Sequence, residues 1–321
     1  MGLKKLSATL FIVGLLITGE VLATSPKPEI HWNTPPLERG FTWAKKQGER
    51  RLLVKFDAPW CPSCRKLNKE VFQSPEGFWE MNGLMAFRVD FDDPANRSLV
   101  ESYVILGLPT VLLLDGAGNQ VARISGFEDK AAWMAKFREA RQNGDPLPTL
   151  RARVKQNPAN PEHLLTLGRA LLVRGDTAEG LALLERVSAL SNAHARPHAA
   201  HALFLQGRYY HRVKQDPTRA QKLWHTLVTH HPESDYAGSA LWWYARAQHE
   251  LKQPQVAINL FDTQAKAGNT AALPQWYEFV LKHQLSSEIP RLRNAIKARL
   301  HTTTNPKEKA TLQTLLANFT R

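Results

Sequence analysis

Apolar and polar positions along this chain change rhythm near its middle. Before residue 146, short apolar runs alternate with stretches of helical spacing; after it, only helical spacing remains. Leu37, Phe41 and Ala44 fall on one face of a helix predicted over 36–47. The run RLLVKFD at 51–57 reads as a buried strand bounded by charge, and 61–72 has helical spacing through Leu67 and Val71. A strand is expected over 86–90 and a helix over 96–104. Gly107-Leu108-Pro109-Thr110 interrupts before a strand at 111–114. Asp115-Gly116-Ala117-Gly118-Asn119 then makes a tight turn into a hairpin partner at 120–124. A helix over 127–141, with Trp133 and Phe137 inward, completes the order α-β-α-β-α-β-β-α. That order predicts a mixed sheet with helices on both faces, an α/β domain spanning 36–145.

Gln142 to Pro148 is a Gly/Pro break, and the remainder, 150–321, reads as all-α. Three stretches resemble one another: 163–187 turning at Arg174-Gly175-Asp176, 202–228 turning at Gln215-Asp216-Pro217, and 238–265 turning at Lys252-Gln253-Pro254. Small residues Gly180, Ala220 and Ala257 occupy matching places in the second helices, each followed four residues later by Leu184, Trp224 or Phe261. The offsets of 40 and 37 residues exceed a strict 34-residue unit, but the pattern resembles tetratricopeptide repeats. An unrelated helical bundle is the competing reading. The tail to Arg321 reads as further helices without a clear repeat.

The N-terminus bears on compartment. Lys4 and Lys5 precede a short apolar run from Leu6 to Ile17, and Val21-Leu22-Ala23 supplies a cleavage site, the layout of a secretory signal peptide over 1–23. An uncleaved anchor is the alternative, although the run is short for a membrane span. Residues 24–35, Pro-rich and polar, read as a linker. A periplasmic location is therefore expected. Net charge is +13 and uneven: residues 1–150 carry 19 basic and 17 acidic side chains, residues 151–321 carry 23 and 12. The basic second half suits an acidic protein partner or an anionic envelope surface, or is simply a solvated helical surface. Export argues against nucleic acid as a partner.

The chain has two cysteines, Cys61 and Cys64. Two cannot build a disulfide scaffold or a four-cysteine zinc site. In Trp60-Cys61-Pro62-Ser63-Cys64 the first thiol opens a predicted helix after a predicted strand. Unpaired N–H groups and the helix dipole there favour a thiolate, the species that attacks disulfides. The second thiol, one turn on, is placed to resolve a mixed disulfide. Pro62 is tolerated at an early helix position, Arg65 and Lys66 add positive field, and Trp60 offers an apolar platform beside an exposed sulfur. The pair is thus expected to be a redox-active disulfide needing no other cofactor. Zinc would need two more ligands, and His194, His198 and His201, spaced for one helix face, lack a fourth. His230-His231 reads as a cap or turn, and Trp242-Trp243-Tyr244 as core packing with one ring free to line a peptide groove.

Residues 56–64 together with Gly107-Leu108-Pro109-Thr110 resemble the thioredoxin superfamily over about 36–142. The run through Val71-Phe72 and the segment ILGLPTVLLLDGAGNQVARISGF look most like the C-terminal thioredoxin-like domain of the membrane reductase DsbD. The resemblance implies Cys61 as nucleophile and Cys64 as resolving thiol. It also implies Pro109 as a cis-proline facing the disulfide, with the Leu108 backbone free to pair with an incoming peptide. One departure is plain: a buried carboxylate usual six residues before the first cysteine is here Lys55, and an acid expected seven residues after it is Asn68. Asp57 substitutes only if its side chain reaches the same pocket. Lys55 would otherwise snorkel to water; close to the sulfurs it would stabilise thiolates.

These features predict an exported thiol–disulfide oxidoreductase acting on disulfide-bearing proteins, with reduction the expected direction and a DsbD-type membrane protein the expected electron donor. The alternative is a periplasmic scaffold whose repeats recruit partners and whose thioredoxin-like domain only docks. The enzyme reading requires the sulfur pair to be reachable and free of metal.

Overall fold

The computed structural model describes residues 29–48, 50–142 and 146–319. The expected signal peptide, and the linker as far as residue 28, lie outside them. In chain order the first domain comprises β1 (Trp32–Asn33), α1 (Glu38–Lys46), β2 (Leu52–Asp57), α2 (Pro62–Leu67), α3 (Pro75–Met81), β3 (Met85–Asp90), α4 (Arg97–Ser102), β4 (Thr110–Leu114), β5 (Gln120–Ser125) and α5 (Lys130–Gln142). The strands form one five-stranded sheet in the order β1-β3-β2-β4-β5. β1 and β2 both run parallel to β3, and β4 runs antiparallel to β2 and β5.

Alternation along β2 explains the two layers. Leu52, Val54 and Phe56 face a core shared with Leu37, Ala44, Phe87, Val100 and Ile105. Leu53 faces the opposite core, with Leu67, Val71, Phe72, Trp133 and Phe137. Lys55 and Asp57 fall on the Leu53 face, beneath the helix that carries the cysteines.

Two elements depart from the sequence reading. The 24–35 segment is not all linker: Trp32 and Asn33 pair with Ala86 and Phe87, adding a short edge strand. Two residues are too few to show alternation, and neighbouring prolines masked them. The helix α3 was also missed; Ser74 caps it by accepting from Gly77 N–H at 3.1 Å, with Pro75 at its first position. The helix expected over 61–72 is α2 followed by a wide π-turn at Asn68–Phe72.

The second domain is helical: α6 (Leu147–Gln156), α7 (Pro161–Arg174), α8 (Thr177–Ser188), α9 (Arg196–Arg208, extended by a π-turn at Tyr209–Val213), α10 (Pro217–His230), α11 (Ala237–Glu250), α12 (Pro254–Lys266), α13 (Ala272–Lys282), α14 (Ile289–Thr302) and α15 (Pro306–Asn318). The α7/α8, α9/α10 and α11/α12 pairs are the three repeats. Ala220, Ala257, Leu184, Trp224 and Phe261 are fully buried between them. Gly180 is small because α7 passes over it: a Cβ there would lie 2.6 Å from Leu172 N. Among the described residues no helix is long and apolar enough to cross a membrane.

The domains meet through arginines. Arg97 donates to the carbonyls of Arg212 (2.9 Å) and Val213, and Arg123, which also donates to Tyr103 and Val104 (3.3 Å) of its own domain, crosses to that of Val173 (3.1 Å). Val104 packs in the core of the first repeat.

Candidate active site

The strand β2 delivers the chain to a turn at Ala58–Trp60, where Cys61 N–H donates to Ala58 O at 3.1 Å. Cys61 is the N-cap of α2 in extended conformation, and its Sγ accepts from Cys64 N–H at 3.2 Å. Ser63 Oγ lies 3.4 Å from the same sulfur. A sulfur in the capping position meets the unpaired donors of the helix start, which is the environment that favours a thiolate after reduction. Pro62 occupies the first helical position. Cys61 and Cys64 are joined as a disulfide, Cα atoms 5.2 Å apart.

The exposed sulfur expected from the sequence is not what the structure shows: Cys61 is 3% and Cys64 2% accessible. The cover is thin, however. The pair shares a small cluster with Ala58 and Leu108, apart from the two cores of the domain, and its neighbours Pro59, Trp60 and Pro62 are exposed. Both sulfurs fold back against the helix start, with Leu108 packed alongside.

Trp60, 53% exposed, donates from Nε1 to Asp92 Oδ2 in the loop after β3. The sequence reading missed Asp92, because 32 residues separate the two and only the parallel pairing of β2 with β3 brings them together. The Leu108–Pro109 peptide is cis. Pro109 is buried and Leu108 half-buried against the disulfide. The loop is held from behind by the second domain: Arg208 Nε donates to Leu106 O at 2.7 Å.

Lys55 does not snorkel. It is 2% accessible, with Nζ 2.9 Å from Asp57 Oδ2 and donating to Asn68 Oδ1. Nζ also lies 4.5 Å from the Trp32 ring centroid and 5.3 Å from that of Phe72. Asp57, 1% accessible, takes Arg88 Nε at 2.9 Å on its other oxygen. The two positions where the family's acids are replaced therefore touch each other, one turn along the helix from Cys64. Burial pushes the Lys55 ammonium below its ordinary value, and the Asp57 carboxylate pulls the other way. Buried charges of this kind persist only when paired, which is why Asp57 lies on the same face of β2.

The three histidines do not converge on one point: His194, just before α9, meets His198 with ring centroids 5.9 Å apart, whereas His201 stacks on Tyr236 with ring centroids 4.5 Å apart. Among the described residues no group of three or more His, Cys, Asp or Glu is placed to hold a metal ion. His231 closes α10 as its C-cap. Of the aromatic trio, Tyr244 is buried while Trp242 and Trp243 stay partly open.

The thioredoxin-like domain family matches residues 37–141, and a tetratricopeptide repeat family matches 201–234. The chain is 30% identical over 112 residues to the thiol:disulfide interchange protein DsbD 2 of Pseudomonas aeruginosa, an alignment covering 34% of this chain and 19% of that protein. It is also 30% identical over 107 residues to the thiol:disulfide interchange protein DsbD of Klebsiella pneumoniae subsp. pneumoniae, covering 32% and 17%. Among solved structures, one titled DsbH oxidoreductase aligns at 23% identity and a TM-score of 0.33, over 38% of this chain and 94% of that one. The chain spans about a fifth of the length of the curated relatives it matches. Residues 37–141 are a thioredoxin-like domain, and the helices behind it include a tetratricopeptide repeat.

Proposed function

We propose that the protein is an exported thiol–disulfide oxidoreductase that exchanges disulfides with protein partners, with Cys61 as nucleophile and Cys64 as resolving thiol. The observation that carries this reading is a Cys61–Cys64 disulfide capping a helix start in a thioredoxin-like domain, flanked by the exposed Pro59, Trp60 and Pro62. In the reduced protein the Cys61 thiolate attacks one sulfur of a client disulfide, and the other sulfur leaves as a thiolate and takes up a proton. Cys64 then loses its proton and attacks Cys61 Sγ, releasing the client as a dithiol and restoring the disulfide. Two electrons pass to the client at each turn. A dithiol donor must return them, and a membrane thiol:disulfide interchange protein of the kind this domain is similar to is the proposed source. Trp60, Leu108 and Pro109 would flank the incoming peptide.

The reducing direction rests on that similarity. A cation near the sulfurs works against it, since whatever stabilises the dithiol form holds its electrons more tightly. The Asp57 carboxylate beside Lys55 offsets that field. Localisation outside the cytoplasm rests on residues 1–23 alone.

The thin cover over the disulfide also suits the scaffold reading, in which the helical domain recruits partners and the disulfide is idle. Insulin reduction separates the two. The wild-type protein should reduce insulin and Cys61→Ser should not; equal, negligible turnover in both leaves the scaffold. A Cys64→Ser variant should accumulate covalent client adducts that dithiothreitol releases.

A further inference from the structure

Three arginines of the helical domain surround one indole. Arg208 and Arg212, one turn apart on α9 and its π-turn, and Arg246 on α11 place their guanidinium carbons 4.4, 5.5 and 4.9 Å from the Trp243 ring centroid. With His211 and Glu250, Arg212, Trp243 and Arg246 line a pocket of about 360 Å³. The carboxylate in it, Glu250, is already engaged by His211 Nε2 at 2.7 Å and lies 3.7 Å from Arg246 Nη2. Arg212 is only 9% accessible, and its guanidinium rests 4.3 Å from the Phe91 ring centroid. Burial and the neighbouring guanidiniums push Arg208 well down, and burial pushes Arg212 down to about 10. Cations gathered this closely repel one another, and ring stacking offsets only part of that cost.

Two of the three arginines reach the loops that frame the disulfide: Arg212, which lines the pocket, and Arg208, which stacks on the same indole outside the pocket lining. Phe91, under Arg212, donates its N–H to Asp57 O at 2.8 Å at the end of β2, and the next residue, Asp92, holds Trp60. On the other side Arg208 holds Leu106, two residues before the Leu108 that packs on the sulfurs.

We propose that this pocket is an anion subsite that docks Asp or Glu side chains of a client polypeptide lying beside the disulfide. The assignment to clients rests on the oxidoreductase reading above; the pocket's affinity for acidic peptide does not. A planar carboxylate accepts two parallel N–H bonds from a guanidinium, and Arg246, partly open, is the first it would meet.

The test uses the full-length oxidised protein and fluorescent, cysteine-free peptides carrying either a run of Glu or the same run as Gln. Anisotropy should show the Glu peptide binding and the Gln peptide not. Arg246→Gln should weaken binding about tenfold, the loss of one charge-assisted contact. Glu250→Gln, which removes the pocket's own carboxylate, should tighten it. Both residues are partly exposed, so both variants should fold. The proposal is overturned if the Glu peptide does not bind, if either substitution leaves its affinity unchanged, or if inorganic phosphate displaces it at equal concentration. It is also overturned if anionic vesicles bind in its place. Peptide binding retained by a protein that fails to reduce insulin would sink the redox reading and leave the pocket standing; insulin reduction without peptide binding would do the reverse.

Discussion

At the residue scale, the departure from the expected acid is the most informative feature of the site. Lys55 sits where the resemblance leads one to expect a carboxylate, and the fold answers by burying Asp57 against it and pairing the exposed Arg88 with the other oxygen of Asp57. Removing one member of such a pair leaves an uncompensated charge, so Asp57→Asn should cost about 3–5 kcal/mol in urea unfolding. The Lys55→Met/Asp57→Asn double variant should recover most of that; no recovery would show that the two do not act as a pair. The pH dependence has a definite sign. Burial holds Lys55 below 10.5, so on approaching that pH the folded protein releases a proton that the unfolded chain still keeps. Stability contributed by this group is therefore lowest where Lys55 is protonated in both states and rises as pH climbs through the window ending near 10.5. Urea midpoints measured across that window should rise in the wild type relative to Lys55→Met, and parallel curves would refute the assignment.

At the element scale, close helix packing holds the repeats together. Gly207 on α9 faces Trp224 on α10, and a Cβ added there would stand 2.3 Å from the indole Nε1. Gly207→Ala should therefore destabilise by about 1–3 kcal/mol despite the better helix propensity of alanine. Gly238→Ala on α11, where the nearest atom would be 3.7 Å away, should be neutral or mildly stabilising. Thermal melts of the two variants read the difference, and similar midpoints would mean that α9 and α10 can separate at little cost. The π-turn at Tyr209–Val213 lengthens α9 and carries Arg212 to the domain junction, a role that helical spacing alone does not announce.

At the scale of the whole molecule, the first domain caps the second. Arg97 donates to carbonyls at the end of the α9 π-turn, and Arg123 to Val173 O near the end of α7, groups that no helix satisfies internally. Burial pushes the Arg123 guanidinium down to about 9, and its three carbonyl partners compensate for the lost water. Arg123→Ala should weaken the junction by on the order of 2–3 kcal/mol. The expected signature is a single thermal transition splitting into two. An unsplit transition at the wild-type midpoint would show that the domains are coupled elsewhere.

Local pattern was enough for what depends on local pattern. The short apolar runs at 51–57 and 111–114, the helical spacing around Trp133 and the small-large repeat at Gly180/Leu184, Ala220/Trp224 and Ala257/Phe261 determine two adjoining architectures, because strands buried on both faces and helices buried on one leave those patterns. The CxxC spacing after a strand likewise points to its chemistry, since a helix start activates a thiol wherever it occurs. Contacts between distant segments were decided only by the tertiary structure. The pairing of Trp32 with Ala86, the partner of Trp60, the thin cover of Leu108 over the sulfurs and the gathering of Arg208, Arg212 and Arg246 around Trp243 all depend on how sheet and repeats dock. Lys55 shows the boundary most clearly: its identity in the sequence raises the question of an unpaired charge, and only the packing of the π-turn after α2 over one face of β2 brings Asn68 to it beside Asp57.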